Sequence, residues 1–116
     1  MLPLAFRLKR RSEFGRIYSK GRSNATDLIV VYALPARSDE TRIGFSVSKK
    51  LGGSVARNRV RRLLREATRP FLPRLKTGYS VIVLARARAG AAAYAQLAAD
   101  LELLFKKLGI LNAGDQ

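Results

Sequence analysis

The chain contains no cysteine and no histidine. Without cysteine there are no disulfides and no thiolate zinc sites, and without histidine the usual proton shuttle near neutral pH is missing. Acidic residues are scarce too, at 8, and they show no metal-binding spacing. Asp39 and Glu40 stand in turn-like sequence, and Asp100 and Glu102, two residues apart in helical sequence, point to different sides. Serine nucleophiles have no histidine to activate them, and nothing in the sequence selects a serine-lysine pair. A self-sufficient nuclease is hard to build from this set. The apolar run from Leu28 to Leu34 is far too short to span a bilayer. No apolar stretch follows the basic Arg7, Lys9, Arg10 and Arg11, so a cytoplasmic protein is expected.

What the chain has in excess is positive charge. Its 116 residues carry 23 Lys and Arg, a formal charge of +15, with 47% hydrophobic content. That length and apolar content suit one domain with a real core, spanning 1–116. A short basic segment is expected at its start and a flexible tail from about 109. The charge speaks to partners: nucleic acid first, then anionic membrane or acidic protein.

Hydrophobic periodicity gives the elements. Ser12 can cap a short helix with Phe14, Ile17 and Tyr18 on one side, and Gly21 stands where a left-handed terminating residue is expected. Leu28–Leu34 and Arg42–Ser48 read as strands joined by turn sequence from Pro35 to Thr41, an apparent antiparallel pair. In the second strand Ile43, Phe45 and Val47 share one face, with the small Gly44, Ser46 and Ser48 on the other. Tyr79–Ala85 is a further strand, and Tyr94, Leu97, Ala98, Leu101, Leu104, Phe105 and Leu108 trace a closing amphipathic helix. The expected fold is α+β: a two-layer sandwich of a small mixed sheet and helices, in the order αββαβα. The strands Arg42–Ser48 and Tyr79–Ala85 form a parallel crossover unit, and the sheet's second face is left open for contact.

Between those strands lies an unusual helix. With about 100° per residue, Ala56, Val60, Leu63, Leu64, Ala67 and Phe71 share an apolar face, and Arg57, Asn58, Arg61, Arg62, Arg65 and Arg69 another. Pro70 should end or kink it. Arg57, Arg61, Arg65 and Arg69 repeat at i, i+4, and three such like-charge pairs cost roughly 1 kcal/mol in sum. Arg57 also opposes the positive end of the helix dipole. Guanidinium groups match phosphates bidentately, so a polyanion is the expected relief. Gly52-Gly53 at the helix entry could add backbone N–H donors to such a site. Phe14, Tyr18 and Tyr32, interleaved with Arg11, Arg16, Lys20 and Arg22, have the composition of a single-strand stacking platform. A helix lying on a membrane surface fits less well, because the apolar face is needed to cover the sheet.

Arg42-Ile43-Gly44-Phe45-Ser46-Val47-Ser48-Lys49-Lys50, then Gly52, then Arg57-Asn58-Arg59-Val60-Arg61-Arg62-Leu63-Leu64-Arg65-Glu66, resembles the signature of the bacterial ribonuclease P protein family. Arg7-Leu8-Lys9, Phe14, Tyr18, Gly21 and the strand around Tyr32 extend the likeness over most of the chain, the last helix least specifically. The resemblance implies a subunit that binds a catalytic RNA and forms an endoribonuclease removing the 5′ leader of precursor tRNA. It implies that the catalytic Mg2+ is held mainly by the RNA, with no catalytic or metal-ligating residue in this chain. Lys49, Lys50, Arg57, Asn58, Arg59, Arg61, Arg62 and Arg65 would meet the RNA subunit; Phe14, Tyr18 and Tyr32 would line the leader cleft. The expected partners are that RNA subunit and precursor tRNA, with one protein copy per holoenzyme and no membrane. It also implies a left-handed crossover, as in the second domain of ribosomal protein S5, against the usual handedness. Gly53 and Ser54 depart from the family's common Asn-Ala, Arg61 from a frequent lysine and Tyr18 from a frequent phenylalanine. The competing expectation is a ribosomal or nucleoid-type binder with no enzymatic assembly.

Overall fold

Val81, Ile82 and Val83 are all fully buried, so the strand that carries them is covered on both faces and takes an interior position in the sheet. This strand is β4 (Tyr79–Ala85) in a computed structural model that describes residues 11–36 and 39–112. Before it come α1 (Arg11–Lys20), β1 (Arg22–Ala25), β2 (Ile29–Pro35), β3 (Arg42–Val47) and α2 (Ser54–Thr68), and after it α3 (Tyr94–Leu108). The sheet order is β1-β2-β4-β3. β2 runs antiparallel to β4 with Tyr32 beside Ile82, and β3 runs parallel to β4 with Gly44 beside Ile82.

Two expectations change here. β2 and β3 do not pair, because the more apolar β4 inserts between them and leaves β3, with its small Gly44 and Ser46, at the edge. β1 is an added strand, Arg-Ser-Asn-Ala, mostly exposed and held by pairing with β2. Its residues carry little strand propensity, so tertiary pairing alone makes it a strand. The expected parallel crossover from β3 through α2 to β4 is present.

Ile29, Val31, Ala33, Ile43, Val81 and Val83 face α2 and α3 in one buried cluster. From α2 this cluster takes Val60, Leu64 and Ala67, and from α3 it takes Leu97, Leu101, Leu104, Phe105 and Leu108, the positions that periodicity selects. α2 ends as expected, passing at Arg69-Pro70 into a 3-10 turn that runs to Arg74.

The second face of the sheet is not fully open. Ile17 of α1 and Ile82 of β4 are buried outside the main cluster, and Tyr18 packs on Tyr32, which alternation turns away from α2 and α3. α1 therefore covers part of this face. Gly21 does not adopt a left-handed conformation, and the left-handed helix end is Gly109 after α3, at φ 72°. Gly21 is needed for space: a Cβ there would lie 2.6 Å from the Ile17 carbonyl oxygen and 3.1 Å from that of Ala33. Because both neighbours are backbone, Gly21→Ala is expected to cost about 1–3 kcal/mol by overpacking, read from denaturant unfolding. A melting curve unchanged from the parent would show that α1 does not sit this close to β2.

Residues 109–112, where a flexible tail is expected to begin, are anchored instead. Ile110 is buried, Leu111 bridges Leu75, and the Asn112 N–H donates to the Arg74 carbonyl at 2.8 Å. Two apolar residues just past the helix end supply the anchor. Arg22 Nη2 donates to the Leu108 carbonyl at 2.7 Å, placing a cation where the α3 dipole favours one. Arg7, Leu8 and Lys9 lie outside the described residues.

Candidate nucleic-acid interface

The helix α2 displays its arginines in three directions, because its buried side is set by Val60, Leu64 and Ala67. Arg57, Arg61 and Arg65 run along the flank next to β3, where the Arg65 guanidinium lies 6.0 Å from the Phe45 ring centre. Asn58 and Arg62 form the exposed crest, and Asn58 Oδ1 accepts from Arg61 Nη1 at 2.7 Å, orienting that guanidinium. Arg59 leaves the group and donates from Nη2 to the Gly90 carbonyl at 2.8 Å, on the flank away from β3. Arg59 is not on the arginine face that helical spacing defines, and its bond to Gly90 holds it apart from that face.

The free helix is electrostatically uncomfortable. No acidic residue stands in its first turn, Gly53 offers no side-chain cap, and Arg57 Nε is buried without a hydrogen-bond partner. Like charges one turn apart add to the cost. Beside this helix end, Val55 is 84% exposed, an apolar side chain in a shallow depression with Asn58, Arg59 and Arg62.

On the other face of the sheet the three candidate aromatic residues come together. The Phe14 and Tyr18 ring centres are 6.5 Å apart, and those of Tyr18 and Tyr32 are 4.9 Å apart in an edge-to-face arrangement. Helical spacing puts Phe14 and Tyr18 on one side of α1, and the close approach at Gly21 lowers that side onto β2. Tyr18 remains 38% exposed, so a ring is available at the surface for a stacked base. Small residues, Gly44 and Ser46, continue this face toward the β3 edge. Behind α1, Arg42 is paired with Glu40 at 2.8 Å. That hydrogen bond and charge, with a smaller contribution from the charge of Glu13, raise the Arg42 pKa above its ordinary value, so it stays protonated at any working pH.

The rings, on α1 and β2, and the arginine flank beside β3 lie on opposite faces of the sheet. Basic residues that sequence reasoning missed lie at one end of the sheet. β3 and β4 are parallel, so Ser48–Leu51 and Arg86–Ala91 leave the sheet at the same end, and their 3-10 turns touch: a Cβ on Gly90 would sit 3.4 Å from Leu51 Cγ. Exposed Lys49 and Lys50 thereby share an end with exposed Arg86 and Arg88. The signal was available: a crossover unit implies that whatever follows its two strands gathers together.

Among the described residues, no group of three or more acidic side chains is placed to hold a metal ion. Among the same residues, no helix is long and apolar enough to cross a membrane. Cationic helix flank, ring cluster and basic sheet end together define a class: a small α+β domain whose surface has the charge and the rings suited to RNA.

Comparison with known proteins makes this specific. The ribonuclease P family model matches residues 2–109. The protein component of ribonuclease P from Symbiobacterium thermophilum is 42% identical over 93% of this chain and 95% of its own length. The Staphylococcus aureus RNase P protein superposes with a TM-score of 0.84 at 37% identity, covering 93% of this chain and 99% of that one. The Thermotoga maritima protein gives 0.76 at 26% identity, over 86% and 96% of the two chains. The chain belongs to the ribonuclease P protein family. It is accordingly a protein part of an endoribonuclease of tRNA processing, and the reading as a structural binder without enzymatic assembly is not favoured.

Proposed function

We propose that the protein holds two RNAs at once: the catalytic RNA subunit through α2, Lys49 and Lys50, and the 5′ leader of precursor tRNA through Phe14, Tyr18 and Tyr32. Within α2 the contacts come from Arg57, Asn58, Arg59, Arg61, Arg62 and Arg65. The observation that carries this reading is the ring cluster, in which three aromatic residues from α1 and β2 meet on a sheet face bordered by positive charge. A nucleic acid backbone alone needs no rings; an unpaired strand uses them.

In this reading the chain's residues bind and orient. Arginines screen phosphates of the folded RNA, and the rings fix the leader so that the cleavage junction enters the RNA's active centre. Mg2+ held by that RNA supplies the hydrolytic chemistry. One protein copy serves one holoenzyme in the cytoplasm.

Reconstitution tests the assignment. The protein alone is expected to leave precursor tRNA intact; the protein with its RNA subunit should release the 5′ leader at magnesium concentrations too low for the RNA by itself. Absence of such rescue across a broad magnesium range, or cleavage by the protein alone, contradicts the reading. Tyr32→Ala is expected to weaken binding of leader-bearing tRNA by about 1–3 kcal/mol, the worth of a stacked base, and to leave mature tRNA unaffected. Equal weakening of both ligands would make Tyr32 a support for α1 only.

A further inference from the structure

The turn between β1 and β2 is built more firmly than its length requires. Thr26 Oγ1 accepts the N–H groups of Leu28 and Ile29, each at 3.2 Å, and is 2.6 Å from Asp100 Oδ2, to which it donates. The Thr26 carbonyl accepts from Arg86 Nη1 at 3.0 Å. From this fixed turn Asp27 projects over the basic end of the sheet, with Oδ2 3.5 Å from Arg88 Nη1. Asp27 and Arg88 face a shallow open pocket of about 360 Å³, shared with Arg86 and Ala87, in which Asp27 is the one carboxylate among the described residues.

The Asp27–Arg88 pair does not hold the fold. Its side chains are 84% and 75% exposed, a setting in which ion pairs contribute little; Thr26 does the holding. A carboxylate and a phosphodiester offer a guanidinium the same thing, a single negative charge spread over two oxygens. The pair is therefore exchangeable, and its position beside Arg86, Lys49 and Lys50 places it where an RNA backbone would run.

We propose that Asp27 is an internal substitute for a leader phosphate at Arg88, a specificity-determining residue that an incoming leader must displace. The inference rests on the leader-binding reading above. With Asp27 in place, a backbone passing the sheet end gains little from Arg88 unless its bases also stack on Tyr18 and Tyr32. The carboxylate thus lowers the affinity for leader phosphates as such and leaves the decision to the rings.

The test uses holoenzyme reconstituted from the full chain and its RNA subunit, with precursor and mature tRNA as ligands. Asp27→Asn is expected to tighten precursor binding about threefold at low ionic strength, by freeing the Arg88 guanidinium from its competing carboxylate so that it pairs with the phosphate, with the gain fading as salt screens that pair. Mature tRNA, which has no leader phosphates, should bind unchanged. Arg88→Ala should weaken precursor binding, and adding Asp27→Asn to it should give no further gain. Both side chains are exposed, and circular dichroism of each variant checks the fold. Unchanged precursor affinity in Asp27→Asn, an equal gain for mature tRNA, or a full gain in the Arg88→Ala background overturns the inference and leaves leader binding standing. A parent holoenzyme that fails to prefer precursor over mature tRNA overturns the leader reading, and this inference with it.

Discussion

Replacing Arg57, Arg61 and Arg65 together with glutamine is expected to weaken binding to the RNA subunit by about 100-fold at 0.15 M salt, while the protein melts no earlier than its parent. Each lost phosphate contact on folded RNA removes roughly 0.7–0.9 from the slope of log affinity against log salt, so three contacts remove about 2–3. Extrapolated from 1 M down to 0.15 M salt, a change of that size is about two decades of affinity. Stability moves the other way. The three i, i+4 repulsions along the ladder all involve a substituted residue, and losing them returns roughly 1 kcal/mol. The Arg65 contact with Phe45 offsets part of that gain, at about 0.5–1 kcal/mol for an exposed cation over a ring. Titrations at several salt concentrations read the slope directly. An unchanged slope would take this flank of α2 out of the interface.

Phe105→Ala is expected to cost about 3–5 kcal/mol, the usual loss for a buried phenylalanine. Phe105 is fully buried on α3, and its ring meets Phe71 edge-to-face with centres 5.5 Å apart. Small domains have only about 5–15 kcal/mol in total, and self-repulsion at +15 pushes this one toward the low end. The variant should be partly unfolded in low salt and refold on adding its RNA, because a ligand that binds only the folded state shifts the balance toward it. Phe105→Leu keeps most of the volume and should cost less than about 1.5 kcal/mol. Denaturant unfolding of both variants tests this, and a loss below about 1 kcal/mol for the alanine variant contradicts the packing of α3 described above.

Much of the fold was legible because its signals are local. Val60, Leu64 and Ala67, and likewise Leu97, Leu101, Leu104, Phe105 and Leu108, repeat at helical spacing and are the residues buried. Tyr79–Ala85 has the predicted strand limits. The ladder at Arg57, Arg61 and Arg65 needed only the helical repeat to be seen as strained, and its match to a family signature is a property of residue order. β1 escaped notice because Arg-Ser-Asn-Ala has neither alternation nor β-branched residues. The β2–β3 hairpin was misread because two strands close in sequence usually pair, and nothing within them says that β4 will come between.

By itself, then, the sequence determined the helices, the three apolar strands and the crowding of positive charge. Each follows from periodicity, composition or charge, which neighbouring residues carry without reference to the rest of the chain. Only the tertiary structure decided that β4 divides β2 from β3, that α1 crosses to the second face to bring Tyr18 onto Tyr32, and that Arg59 turns away to Gly90. It also decided that Arg86 and Arg88 join Lys49 and Lys50 beside Asp27. These placements depend on which apolar surfaces bury one another most completely, a choice made among distant segments at once and written in no single stretch of residues.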